Sequence, residues 1–436
     1  MIMMHNAGLS RTLRATGHAV LLSLAGFGAT AMAATEVQVW HTLSGPNKGE
    51  FEKLVKQFNK DQKEVKVELT GFDSQPQLRE AARKAAAAKK SPHLVQIEDN
   101  HSPDVIAEHK AILPMHRLLA DYPIRDLAWF LPQTSNFVRD DRGRLLAFPF
   151  MAEVPVMFYN LDAYKKAGID AKNPSRTWTD LQADLLKLRA AGVSCPYASS
   201  NAVSVHLENL APMNNRLYTT ADNGLGKGKQ KFNFDSLYMR HLSLMVSWKR
   251  SLLFTEHPEG NGADASFAKG QCGVLTSGTG ALGQLQAARG LSFGVAPLPY
   301  YAQVAKQPGR PFVSGSALWA IAGHPRAEDK ASAAFLAFLA TPVVAAEWHQ
   351  RTGYLPLTEA AFRASDVSYY GNIPGAQAVI ANLRSTPSPS ARGFRIPNYP
   401  SIETVANGEL QSALAGDRPP VQALNTISQR GDALMR

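Results

Sequence analysis

The sequence predicts an α/β protein with two cores. Three observations carry that prediction. From Ala34 onward, short β-branched runs alternate with amphipathic helical stretches. The chain has 436 residues, 45% of them hydrophobic, which is enough for two cores rather than one. Pro149 and Pro155 break a strand-like run, "LLAFPFMAEVPVMFYN", just before a new helix, as expected where a chain crosses from one core to another.

The first 33 residues are set apart from the fold. Arg11 and Arg14 stand without any acid, "AVLLSLAGFGA" is an apolar run too short to span a bilayer, and Ala31-Met32-Ala33 fits a small-residue cleavage site. A secretory signal is the expectation, with a membrane anchor as the alternative. No cysteine follows the cleavage site to carry a lipid.

After it, "TEVQVWHTL" reads as a strand. "KGEFEKLVKQFNKDQ" puts Phe51, Leu54, Val55 and Phe58 on one helical face, and "VKVELTGF" and "SPHLVQIED" are strands again. Such βαβ alternation predicts helices on both faces of a mostly parallel sheet. "PSRTWTDLQADLLKLRAAG" is a helix starting near Thr177 or Thr179. "NGLGKGKQK", residues 223–231, lacks the G-K-[ST] of a phosphate loop and is expected to be a mobile surface loop. Further on come the strand "SALWAIAG", the helix "AEDKASAAFLAFLA", and another helix that Thr341 caps, Pro342 opens and Gly353 ends.

Charge and chemistry exclude several function classes. Removing Arg11 and Arg14 lowers the formal net charge from +10 to about +8, and the remaining basic residues are scattered rather than interleaved with aromatics. The charge therefore reads as solubility, with no nucleic-acid partner expected. No H-E-x-x-H, G-x-S-x-G or C-x-x-C is present. His101 and His206 lack ligand spacing, so no metal and no cofactor is expected. Cys195 and Cys272 are a disulfide candidate, with two buried free thiols as the other reading. "GTGALG", residues 278–283, matches G-x-G-x-x-G, but no acid follows between Gly283 and Glu328 to hold a ribose. It is either an anion- or hydroxyl-binding helix start or a close packing turn.

The segments "VQVWHTLSG", "FYNLDAYKKAGID", "FAKGQCGVLTSGTGALG", "VSGSALWAIAG" and above all "EWHQRTGYLPLTEAAF" resemble the periplasmic solute-binding proteins of the glycerol-3-phosphate ABC importers, over essentially all of the chain after residue 33. The resemblance implies a two-lobe periplasmic binding fold with interleaved lobes and hinge strands: residues 34–150 and 300–352 in lobe I, 151–299 and 353–436 in lobe II. It also implies a periplasmic monomer that captures a small polar solute and hands it to a permease and ATPase complex. Gly353 then stops a helix, Tyr354 faces the interlobe cleft, and Thr358 caps the next helix.

Carried over position by position, the family's cleft residues fall on Gln75, Asp99, Glu153, Asn201, Ser204, Gly278, Gly315, Tyr354 and Glu403, with Thr279 beside Gly278. Gly315 and Tyr354 keep the family's residue type, and Asp99 shortens a glutamate. Glu403 stands where the family has an arginine. One unit-charge contact at about 4 Å and an effective dielectric near 20 is worth about 4 kcal/mol, so this inversion works against a phosphate dianion unless Arg392, Arg395 or the helix start at Gly278 compensates. A polyol, sugar or amine is then a competing ligand class. The alternative from another class is a secreted hydrolase of phosphodiesters or glycosides using Asp99, Glu153 and Glu403. A sensory or adhesive module is a third.

Overall fold

A computed structural model describes residues 34–107, 109–125, 127–132, 138–258 and 262–435. The expected signal, residues 1–33, lies outside the described residues.

Ten strands are present among these residues: β1 Thr35–His41, β2 Val65–Gly71, β3 Leu94–Glu98, β4 Ile112–Leu113, β5 Phe148–Glu153, β6 Pro155–Asn160, β7 Cys195–Ser199, β8 Cys272–Gly278, β9 Phe293–Pro297 and β10 Ser314–Ile321. They form two sheets. The first has the order β2-β1-β3-β10-β4, with β5 also paired to β10; the second has the order β7-β8-β6-β9.

Only part of this is parallel, which corrects the expectation from βαβ alternation. β1 runs parallel to β2 and β3, in the register Val39↔Leu69 and Val39↔Leu94. β10 lies antiparallel to β3, β4 and β5. In the second sheet only β7 and β8 are parallel. The reason is connectivity. β5 and β10 enter the first sheet from segments outside its opening βαβ run, so the right-handed crossover that forces parallel pairing does not govern them. Only Val154 separates β5 in the first sheet from β6 in the second. The prolines flanking this crossing sit at a strand start or on an outer pairing, where a missing N–H is tolerated.

Burial follows the sequence pattern. Helix Gly45–Asp61 buries Phe51, Leu54, Val55 and Phe58, and β3 buries Leu94 through Ile97 on both faces, as a central strand must. Phe51, Phe58, Phe335 and Trp348 pack in one aromatic group beside the first sheet. Trp178, Tyr197 and Trp248 form another beside the second. Cys195 and Cys272 face each other in the β7/β8 register and their sulfurs are bonded, 2.13 Å apart.

Two local expectations change. Thr177 caps its helix, its Oγ1 accepting from Asp180 N at 3.0 Å. Thr341 does not cap: its hydroxyl donates back to the Ala337 carbonyl at 3.4 Å, and Pro342 alone marks the helix start. The loop from residue 223 is anchored rather than free at its start. Asn223 is fully buried, and a Cβ on Gly224 would run into the Arg395 carbonyl.

Candidate functional site

The carboxyl end of β3, the β5–β6 crossing and the carboxyl end of β8 meet around a cavity of about 390 Å³. Clefts at strand ends are where α/β folds hold ligands. Of the residues singled out from sequence, Asp99, Glu153, Asn201, Ser204, Gly278, Gly315, Tyr354 and Glu403 line it. Gln75 and Thr279 do not. Gln75 is buried behind the wall, donating to Thr42 Oγ1 at 3.0 Å and to the Gln96 carbonyl at 3.2 Å. Thr279 turns inward, fully buried, with its N–H given to the Val154 carbonyl.

Tyr354 owes its position to the preceding helix. That helix, Pro342–Thr352, ends at Gly353 with φ +81°, and a Cβ there would collide with the Thr279 carbonyl. His349 fastens the loop: Nδ1–H donates to the Tyr354 carbonyl at 2.5 Å, and Nε2 accepts from the Tyr370 hydroxyl at 2.7 Å. Burial lowers the His349 imidazole to about 4, so it stays neutral and keeps that tautomer. Trp348 stacks on Tyr354 with centroids 5.6 Å apart and on Phe150 at 4.7 Å. Leu355 then donates its N–H to the Ala152 carbonyl of β5 at 2.7 Å, and Thr358 Oγ1 caps the next helix through Ala361 N at 3.0 Å.

The glycine-rich turn after β8 is explained by Glu153. Gly280 N donates to Glu153 Oε2 at 2.8 Å, so the chain's own carboxylate takes the helix-start N–H. A Cβ on Gly280 would lie 2.6 Å from Glu153 Oε2, and one on Gly278 would collide with the same carboxyl. Gly283 packs on Arg351 and Thr352 backbone. The motif is therefore a packing turn whose anion is built in.

Three further carboxyls that sequence reasoning did not place in the cleft line it: Glu98, Glu208 and Asp264. Glu98 ends β3 beside Asp99, and a paired acid at the carboxyl end of a central strand was the available signal. Glu208 arrives on a π-helical turn, Ser204–Glu208, which also delivers Ser204; such turns often mark functional positions. Glu208 accepts from the Tyr399 hydroxyl at 2.6 Å. Asp264 accepts from Ser200 Oγ at 2.8 Å, and Glu403 from Asn100 Nδ2 at 2.7 Å. Nothing in the sequence near Asp264 announced it.

No Lys, Arg or His is among the lining residues. Arg392 pairs with Asp222, and Arg395 with Asp141 and the Arg139 carbonyl, so neither offers the cleft a counter-charge to the acids. Burial first, and neighbouring carboxylates after it, push the carboxyls up, Glu98 and Glu153 to about 7 and Glu208 to about 8. For Glu153 the Gly280 N–H pulls the other way. Asp99 is raised by burial and by four other carboxyls, Glu208, Glu403, Glu98 and Glu153.

The histidines weighed as ligands are engaged elsewhere. His206 Nδ1 lies 3.0 Å from His241 Nε2, and His101 Nδ1 lies 3.0 Å from an Arg79 nitrogen. Among the described residues, His93, His324 and Glu328 do come together outside the cavity. There the Gln38 N–H occupies His93 Nδ1 at 2.9 Å, so in the neutral ring Nε2 carries the proton and donates to Glu328.

Comparison with known proteins agrees with this geometry. Residues 53–375 match the family of bacterial extracellular solute-binding proteins. The sn-glycerol-3-phosphate-binding periplasmic protein UgpB of Yersinia pseudotuberculosis is 33% identical over 415 residues, covering 94% of each chain. Its counterpart from Pectobacterium atrosepticum is 33% identical over 438 residues, 99% of this chain and 98% of that one. Among solved structures, UgpB from Mycobacterium tuberculosis in complex with glycerophosphocholine superposes with a TM-score of 0.74 at 19% identity, over 92% of this chain and 98% of that one. Maltose-bound MalE3 of Thermotoga maritima gives 0.72 at 17%, over 92% and 100%.

Proposed function

Because the chain belongs to the bacterial extracellular solute-binding protein family, we propose that it is the periplasmic capture subunit of an ABC importer. It holds one small polar solute between two lobes and presents it to a permease and its ATPase. The lobes are residues 34–150 with 300–352, and 151–299 with 353–436, and the protein acts as a monomer without a nucleic-acid partner. The UgpB relatives place sn-glycerol-3-phosphate and glycerophosphodiesters among the first solutes to test.

The observation that carries this reading is the cavity at the β5–β6 crossing. Its wall combines polar groups from both sheets, Glu98 and Ser316 from one and Ser277 and Gly278 from the other. A ligand touching both gains contacts available only when the halves are close, which is the differential affinity that drives closure. No nucleophile beside a base is needed, and the hydrolase reading finds no support in the relatives.

Small-angle X-ray scattering with and without saturating solute tests it. A smaller radius of gyration with at least one of glycerophosphocholine, sn-glycerol-3-phosphate, a sugar or an amine supports capture. Release of nitrophenol from nitrophenyl phosphodiesters or glycosides, lost in Glu153→Gln, would replace capture with hydrolysis.

A further inference from the structure

The cleft is identified as the solute site by its place in the fold and by family membership; its charge is a separate observation. Six carboxyls converge on about 390 Å³ with no cation in the wall. They come from the end of β3, the end of β5, the π-helical turn and the helices Gly262–Ala268 and Tyr399–Ala415. The hydrogen-bond partners of Glu153, Glu208, Asp264 and Glu403 are a backbone amide, hydroxyls and a carboxamide, all neutral. Asp99, at the centre of the group, draws on no such donor for its carboxyl among the described residues. Buried acids without counter-charges are costly unless something positive or a proton neutralises them.

From this arrangement we infer that the solute is a small hydroxylated organic cation, whose ammonium group is held among Asp99, Glu98, Glu208 and Glu403 while the neutral donors and acceptors of Asn201, Ser204 and Gln284 meet its hydroxyls. The inference rests on the capture reading above and names its substrate class. An ammonium offers up to three N–H donors and a full positive charge, and carboxylates accept both. A phosphate dianion would meet six acids, and the Gly280 N–H of the turn after β8 is already given to Glu153. Tyr354 lines the site, and its ring, stacked on Trp348, supplies an aromatic wall suited to a cation or to a sugar face.

Burial raises Glu98, Asp99, Glu153, Glu208, Asp264 and Glu403 alike, and neighbouring carboxylates add to the rise at the first four, so without a cation these acids favour holding protons. The other titratable groups that interact with them are the hydroxyls of Tyr354, Tyr399, Tyr218 and Tyr238, all raised and neutral near pH 7. A bound cation therefore displaces protons, and its affinity rises with pH between about 6 and 8.

Isothermal titration with matched pairs tests this: 2-amino-1,3-propanediol against glycerol and glucosamine against glucose, with spermidine and sn-glycerol-3-phosphate alongside. Titrations in PIPES and in HEPES read the proton release; Tris is avoided because it is itself a hydroxylated amine. The expected result is at least tenfold tighter binding of an amine than of its hydroxyl counterpart, with buffer-dependent heats. Glu403→Gln and Glu98→Gln, each checked for an unchanged or raised melting temperature, should weaken the amine at least tenfold and narrow the gap to the neutral partner. If a neutral sugar, glycerol or sn-glycerol-3-phosphate binds as tightly as every amine or tighter, or if no amine binds, the cation inference fails while solute capture stands. If the entire panel and glycerophosphocholine leave both heats and scattering unchanged, capture itself fails.

Discussion

At Glu153 a single carboxyl is enclosed by Gly278, Gly280 and Gly315, because side chains at those positions would occupy its space or that of the Met151 carbonyl. Gly315 and Gly353 carry a second constraint, with φ +94° and +81°. Gly353→Ala should therefore cost about 1–3 kcal/mol of stability and displace Tyr354, weakening solute binding. Urea unfolding and titration on the same variant check both effects. Gly353 was legible in the sequence because helix-stop chemistry is local, whereas Tyr354 at the cleft and the Thr358 cap came from the family resemblance of that segment. Glu98, Glu208 and Asp264 were not legible, because their meeting is made by packing between segments more than 50 residues apart. The glycines of "GTGALG" were legible as a turn, but the acid that fills it sits 125 or more residues earlier.

Among the elements, β7 and β8 are held twice, by backbone pairing and by the Cys195–Cys272 bond, whose partners are 77 residues apart in sequence. Closing a loop of that size restricts the unfolded chain, a gain of typically about 2–4 kcal/mol. The paired variant Cys195→Ser with Cys272→Ser should lose that amount in urea unfolding, and reductant should no longer change its midpoint. If the wild-type midpoint is indifferent to reductant, the bond is not formed in solution. Helices with clear apolar faces, such as Gly45–Asp61, follow the periodicity of the sequence. Strand direction does not: β10 reads as a plain apolar run, and only its insertion between β3 and β4 makes it antiparallel. The π-helical turn Ser204–Glu208 was equally silent, since no residue pattern distinguishes it from a short helix.

For the whole molecule, the acids of the cleft couple stability to pH. Glu98, Glu153 and Glu208 rise from 4.5 to about 7, 7 and 8 on folding, so between those limits the folded state binds more protons than the unfolded one. Their contribution is full below the unfolded value and is lost as pH rises through 7 to 8. The buried histidines act in the other direction. His206, His349 and His101, lowered from 6.5 to about 3, 4 and 4, remove stability as pH falls below 6.5. Above pH 6.5 the acids act without that opposition. The melting temperature of ligand-free protein should fall from pH 6.5 to 8, and Glu208→Gln should flatten that fall; a rise over the same range would show that the cleft acids are not buried as described.

Two-lobe architecture was legible at this scale from length, alternation and the proline-marked crossing, and from the resemblance of the "EWHQRTGYLPLTEAAF" segment. The sign of the cleft was not, since a net charge near +8 on the exported chain conceals an acid-lined interior.

Capture and release followed by mass spectrometry reads the central claim most directly. Protein incubated with a nutrient extract is desalted, denatured, and its released small molecules identified, with Tyr354→Ala carried in parallel. Noncovalent capture predicts one solute, returned chemically unchanged at one per chain and lost from the variant. Recovery of a cleaved or altered molecule, or equal retention by wild type and variant, would contradict it.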